Sequence, residues 1–99
     1  MGRIQGLTEA YLTGDALLKS EGAVEIFSIV VAGIGAAAGN RIIFRNGTTG
    51  GAPPLLVVVL SSANETIPME FSNGKRFDAG CFVDVEAAAG VIHCALTYK

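Results

Sequence analysis

Residues 41–61 read Arg-Ile-Ile-Phe-Arg-Asn-Gly-Thr-Thr-Gly-Gly-Ala-Pro-Pro-Leu-Leu-Val-Val-Val-Leu-Ser, and this window decides the fold class. In Arg41–Arg45, Ile42 and Phe44 fall on one face and the two arginines on the other, the period of two of a half-buried strand. Asn46-Gly47 is a type I′ turn signal, and Gly50-Gly51-Ala52-Pro53-Pro54 widens the break into a loop. Leu55, Leu56, Val57, Val58, Val59 and Leu60 are then apolar without interruption. Held between Pro54 and Ser61, the run is too short for a helix and reads as a strand covered on both faces.

The same pattern extends outward. Val24–Val31 is rich in β-branched and aromatic residues, and Gly33, Gly35 and Gly39 end it. Ile67, Met69 and Phe71 alternate with Thr66, Pro68 and Glu70. Proline cannot donate to a ladder, so that strand belongs at an edge or carries a bulge. Asn73-Gly74 gives a second tight-turn signal. Cys81, Val83 and Val85 alternate with polar neighbours and Phe82, and Ile92, Cys94, Leu96 and Tyr98 with His93, Ala95 and Thr97. The total is six or seven strands with no amphipathic helix between them, which predicts an all-β, antiparallel β-sandwich, jelly-roll-like, over residues 23–99. The terminal apolar strand ties the last residues into the core.

Residues 1–22 differ. They carry scattered apolar groups, Leu7, Tyr11, Leu12, Leu17 and Leu18, among small polar residues. Thr8 could cap a short helix to Leu12, which Gly14 and Asp15 would end. The segment reads as an N-terminal arm, mostly extended, packed on a neighbour or along its own sheet; an ordinary edge strand is the alternative.

The chain has 99 residues, 51% hydrophobic and 16% charged, with net charge −2. One domain fits that length. So apolar a composition on so small a domain predicts burial against other chains. An acidic balance speaks against nucleic-acid binding. The longest apolar stretch, residues 26–38, falls short of the ~20 residues of a membrane-spanning helix, and the N-terminus has no signal-peptide core. Asn46 and Asn64 match the glycosylation sequon but read as turn residues.

Sites of chemistry are weak. Two cysteines make no disulfide framework. With a hairpin bend at Ala87–Gly90 they would share an inner face diagonally, too far apart for a bond, and so read as free, buried thiols. That register sets His93 opposite Asp84, where a surface ion pair is preferred over a catalytic couple. Gly33-Ile34-Gly35-Ala36-Ala37-Ala38 imitates a dinucleotide fingerprint, but Gly39 and Asn40 leave no room for the helix it needs. The carboxylates are scattered. The expectation is therefore no enzyme, no cofactor and no metal.

From Gly22 onward the order of features resembles a known group. The features are the strand Val24–Val31, the bend at Gly39-Asn40, Arg41-Ile42-Ile43-Phe44-Arg45-Asn46-Gly47-Thr48, an apolar strand, Arg76-Phe77 after a glycine turn, Gly80-Cys81-Phe82-Val83-Asp84-Val85, and a last strand ending at Tyr98-Lys99. This looks like the small β-sandwich virion proteins of tailed bacteriophages, including capsid cement (decoration) proteins. The resemblance implies a structural protein on the capsid surface, a homotrimer that contacts the major capsid protein or another virion protein between capsomers. The arm and residues 55–60 are the candidate interface. A carbohydrate- or host-binding module, or an adaptor, of a phage tail or fibre is the alternative.

Overall fold

A computed structural model describes residues 7–35, 39–62, 64–87 and 90–99. Eight strands are present: β1 (Thr8–Leu12), β2 (Ala16–Leu17), β3 (Val24–Ile34), β4 (Arg41–Asn46), β5 (Pro54–Val59), β6 (Thr66–Phe77), β7 (Cys81–Glu86) and β8 (Val91–Tyr98). They form two antiparallel four-stranded sheets, β1-β8-β3-β6 and β2-β7-β4-β5. Successive strands cross from one sheet to the other except β4 and β5, which pair within the second sheet. This is the jelly-roll order.

The sheets bury one face each against the other. Val24, Ile26, Ile29, Val31, Ile92, Cys94 and Leu96 come from the first sheet and Ile42, Phe44, Val58, Cys81 and Val83 from the second, with Phe77 and Leu60 closing the cluster. On β3 the buried positions run 24, 26, then 29, 31. Period-2 phase is lost once, at a bulge between Ile26 and Ser28. Without that extra residue Ile29 and Val31 would face outward. Facing the bulge on β6 are residues 71–74, so Asn73-Gly74 is part of one long irregular strand and not the hairpin turn its dipeptide suggests. Gly74 takes φ +78°, and a Cβ there would stand 3.1 Å from the Phe27 ring, so only glycine allows both the backbone and the contact.

The arm lies along its own sheets. Thr8–Leu12 is a strand paired with β8, not a helix, and Ala16–Leu17 pairs with β7. The two pieces are edge strands of opposite sheets, tied by Leu18 N–H to Cys81 O at 3.1 Å and Tyr98 Oη–H to Leu18 O at 3.0 Å. Ala10, Leu12 and Leu18 pack against the core. A helix fails here because β8 offers a row of backbone partners that local capping cannot outweigh.

Two further expectations are corrected. β7 and β8 belong to different sheets, so they form no hairpin and His93 does not face Asp84; residues 88–89 of the expected bend lie outside the described residues. And β5 is an edge strand, with one face covered instead of two.

Candidate functional site: an open strand edge and a sheet face

Of the predicted interface residues, Leu55, Val57 and Val59 point outward from β5 and are exposed, while Val58 and Leu60 are buried and Leu56 packs on the core margin. The uninterrupted run is therefore an alternating strand whose outward face is as apolar as its inward one. In the arm, Tyr11 and Leu17 are exposed, whereas Leu7, Leu12 and Leu18 are half-buried. The structure thus does not gather the eleven residues into one surface. It divides them between the β5 edge, the margin at β1 and β2, and the core.

Backbone polarity defines what β5 offers. Leu60 N–H donates to Asn40 O at 2.8 Å, and the β4–β5 register pairs Arg41 with Val59, Ile42 with Val58 and Ile43 with Val57. Even-numbered residues therefore bond to β4, and Val57 and Val59 direct their N–H and C=O groups to the open edge. The opposite arrangement guards β6. Gly33 N–H donates to Glu65 O at 2.9 Å, which sets Ile67 and Met69 in the bonded phase toward β3. Pro68, opposite Val30, falls between them with its missing donor at the open edge, as its sequence predicted. β2 is only two residues long, and β1 carries Glu9. Among the described edge strands longer than two residues, β5 alone carries neither a charge nor an interior proline.

Charge near β5 is already neutralised. Arg41 Nε lies 2.6 Å from Glu86 Oε1. Arg45 Nη2 lies 3.0 Å from Asp84 Oδ2, with both side chains largely covered. Between these pairs, Ile43 is 3% exposed although it stands on the outer face beside Asp84 and Val57. The outer surface next to β5 is thus apolar at Ile43, Val57 and Val59, and its two arginines are paired. Asp84, read from the sequence as the partner of His93, belongs to Arg45, because β4 and not β8 runs beside β7.

The second surface is the outer face of the first sheet. Tyr11, Ala95, Val30 and Pro68 lie side by side across four strands, and Glu9, Thr97, Ser28 and Glu70 form the next row. An open groove of about 370 Å³ runs over the β1, β8 and β3 members of both rows. Tyr11 is 64% exposed. Its hydroxyl hydrogen-bonds His93 Nδ1, and Ser28 and Thr97 hydroxyls bond one another at 2.7 Å. No sequence signal marked this groove, since its rows come from strands far apart in the chain.

The thiols of Cys81 and Cys94 are free and buried. Burial pushes both up to about 12, and for Cys81 the neighbouring Cys94 adds to the effect. They face the core from opposite sheets, not from one hairpin. Glu65 is held below its ordinary value by the backbone N–H and hydroxyl of Ser61, which it accepts at 2.7 and 3.0 Å. Gly33 and Ile34 of the imitation fingerprint are the end of β3. Residues 36–38 lie outside the described residues, and β4 starts at Arg41, too soon for a nucleotide-binding helix. Among the described residues there is no helix and no group of three potential metal ligands.

No protein-family model matches this chain, and no curated protein matches it.

Proposed function

We propose that the chain is a structural protein of a bacteriophage virion, of the capsid cement kind, whose apolar strand edge β5 is an assembly contact. The observation that carries this reading is β5. Its outward side chains are apolar and exposed and its outward backbone groups face solvent in the single chain, and such an edge is a template for pairing with another strand. The jelly-roll order and the resemblance of residues 22–99 to phage cement proteins support the same reading. The arm closes both sheets at their opposite edges and leaves β5 as the side from which assembly proceeds.

Mass spectrometry of density-purified particles of a phage that encodes the chain tests this. The expected result is a copy number comparable to that of the major capsid protein, in tail-free heads as well as whole particles. Its absence from heads would overturn the proposal.

A second reading, a carbohydrate- or host-binding module of a tail or fibre, is favoured by Tyr11 over the groove beside Glu9, Ser28 and Thr97. An exposed aromatic ring flanked by hydroxyls and a carboxylate suits stacking on a sugar with hydrogen bonds at its rim. Recovery of the protein only with tails, and loss of host-cell binding in Tyr11→Ala, are the results this reading expects.

A further inference from the structure

β5 carries a sequence symmetry that specifies its partner. Leu56-Val57-Val58-Val59-Leu60 reads the same in both directions. An antiparallel pair of two such segments, centred on Val58, sets Leu56 opposite Leu60, Val57 opposite Val59, and Val58 opposite itself. The outward backbone groups fit this register: Val57 and Val59 hold the free N–H and C=O groups, and the symmetric pairing joins them as two hydrogen-bonded pairs across the axis. The β4–β5 register slips between Phe44 and Arg45, so the regular part of β5 coincides with the palindrome. We propose that two copies of this chain join edge to edge through β5, in this register, to make one continuous eight-stranded sheet from their two four-stranded sheets.

Charge and side-chain placement favour a second copy over a foreign strand. Segment 53–62 carries no charge, and Arg41 and Arg45 on the next strand are each satisfied by a carboxylate of their own chain. No like charges are therefore brought together across the axis without compensation. Leu56, Val58 and Leu60 of the two copies meet on the inner side and prolong the core, while Val57 and Val59 meet on the outer side next to Ile43. The contact uses the same patch on both copies, so it closes at two. It predicts a dimer where the resemblance to cement proteins implies a trimer, and it does not rest on which assembly the dimer serves.

The test uses the full chain in solution. Light scattering should give twice 10.2 kDa. Val57→Pro copies the device that guards β6: it removes an outward donor and leaves the bonds to β4 in place. Val57→Lys places a charge on the edge instead, should the proline variant fail to fold. At least one of these variants should keep the wild-type far-UV spectrum and run as a monomer. Val58→Cys sets two sulfurs across the axis at a non-hydrogen-bonded position, where Cα atoms stand about 4.5 Å apart, within disulfide reach. It should cross-link nearly completely on mild oxidation, while the wild-type chain, with only Cys81 and Cys94, does not. A wild-type monomer, a trimer without the Val58→Cys cross-link, or a folded edge variant that stays dimeric would each overturn the proposal. A monomer that binds phage heads would do so as well, and would leave the virion reading standing with a foreign strand at β5.

Discussion

Val57 and Val58 are consecutive residues of one type on one strand, 44% and 6% exposed. Aspartate at each position should give opposite results. In Val58→Asp the carboxyl enters the core cluster that holds Ile42, Val83 and Leu60. Losing a buried valine costs about 1.5 kcal/mol or more. A buried carboxyl has its pKa raised by some 3 units, and at about 1.4 kcal/mol per unit this adds about 4 kcal/mol at pH 7. The total, about 5–6 kcal/mol, compares with an overall stability of about 5–15 kcal/mol for a domain of this size. At about 4–8 °C per kcal/mol, the midpoint should fall by more than about 20 °C. Within the single chain Val57→Asp keeps its charge in water and loses strand propensity worth at most about 1 kcal/mol, the loss of a β5–β5 contact being read separately from the dependence of the midpoint on protein concentration. The pH dependence separates the two further. The folded pKa of the aspartate at position 58 lies above its unfolded value near 4, so its protonation stabilises the fold at acid pH, and that stability is lost as pH rises through the folded value. The deficit of Val58→Asp relative to wild type should therefore shrink between pH 7 and pH 4, and that of Val57→Asp should not. Thermal melts by circular dichroism at both pH values, at low micromolar protein, measure this. Equal losses at the two positions, or a Val58→Asp deficit independent of pH, would refute the edge geometry assigned to β5.

Three further outcomes are expected. Thiol reagent at pH 8 should leave Cys81 and Cys94 unlabelled in the native protein and label both in denaturant; and because each folded pKa is raised from 9.0 to about 12, the stability tied to the neutral thiols should hold below pH 9 and be lost as pH rises from 9 toward 12, seen as a falling urea midpoint that a Cys81→Ala/Cys94→Ala variant shows less. Gly47→Ala would bring a Cβ to 2.4 Å from that of Ala52 and should cost about 1–3 kcal/mol in urea unfolding, whereas Gly50→Ala, with only the Phe82 ring at 3.7 Å, should stay within about 0.5 kcal/mol of wild type. Deleting residues 1–20 removes both β1 and β2, one edge strand from each sheet, and should abolish the cooperative melt; a truncated chain melting within about 8 °C of the full chain would show these strands to be dispensable.

Strand character was legible in the sequence because side-chain alternation is local. Arg41–Arg45 and Ile92–Tyr98 show their inner and outer faces directly, and Pro68 announces an edge because a missing donor excludes a central position. Alternation failed where the chain leaves its own period: at the bulge after Ile26, which no residue type announces, and at Asn73-Gly74, whose turn chemistry is used inside a strand. The uniform run Leu55–Leu60 had no alternation to read. Six apolar residues suit a central strand and an unguarded edge equally, and only the strand order β2-β7-β4-β5 places it at the rim. Pairing partners lay further out of reach. Asp84 was matched to His93 by the arithmetic of a hairpin, but β7 and β8 lie in different sheets, so Asp84 meets Arg45 and His93 meets Tyr11. By itself, then, the sequence determined that this is a small all-β domain with two free, buried cysteines, since composition and period are properties of neighbours along the chain. Which apolar residues remain uncovered was decided by tertiary structure alone, because exposure depends on which strand ends beside which.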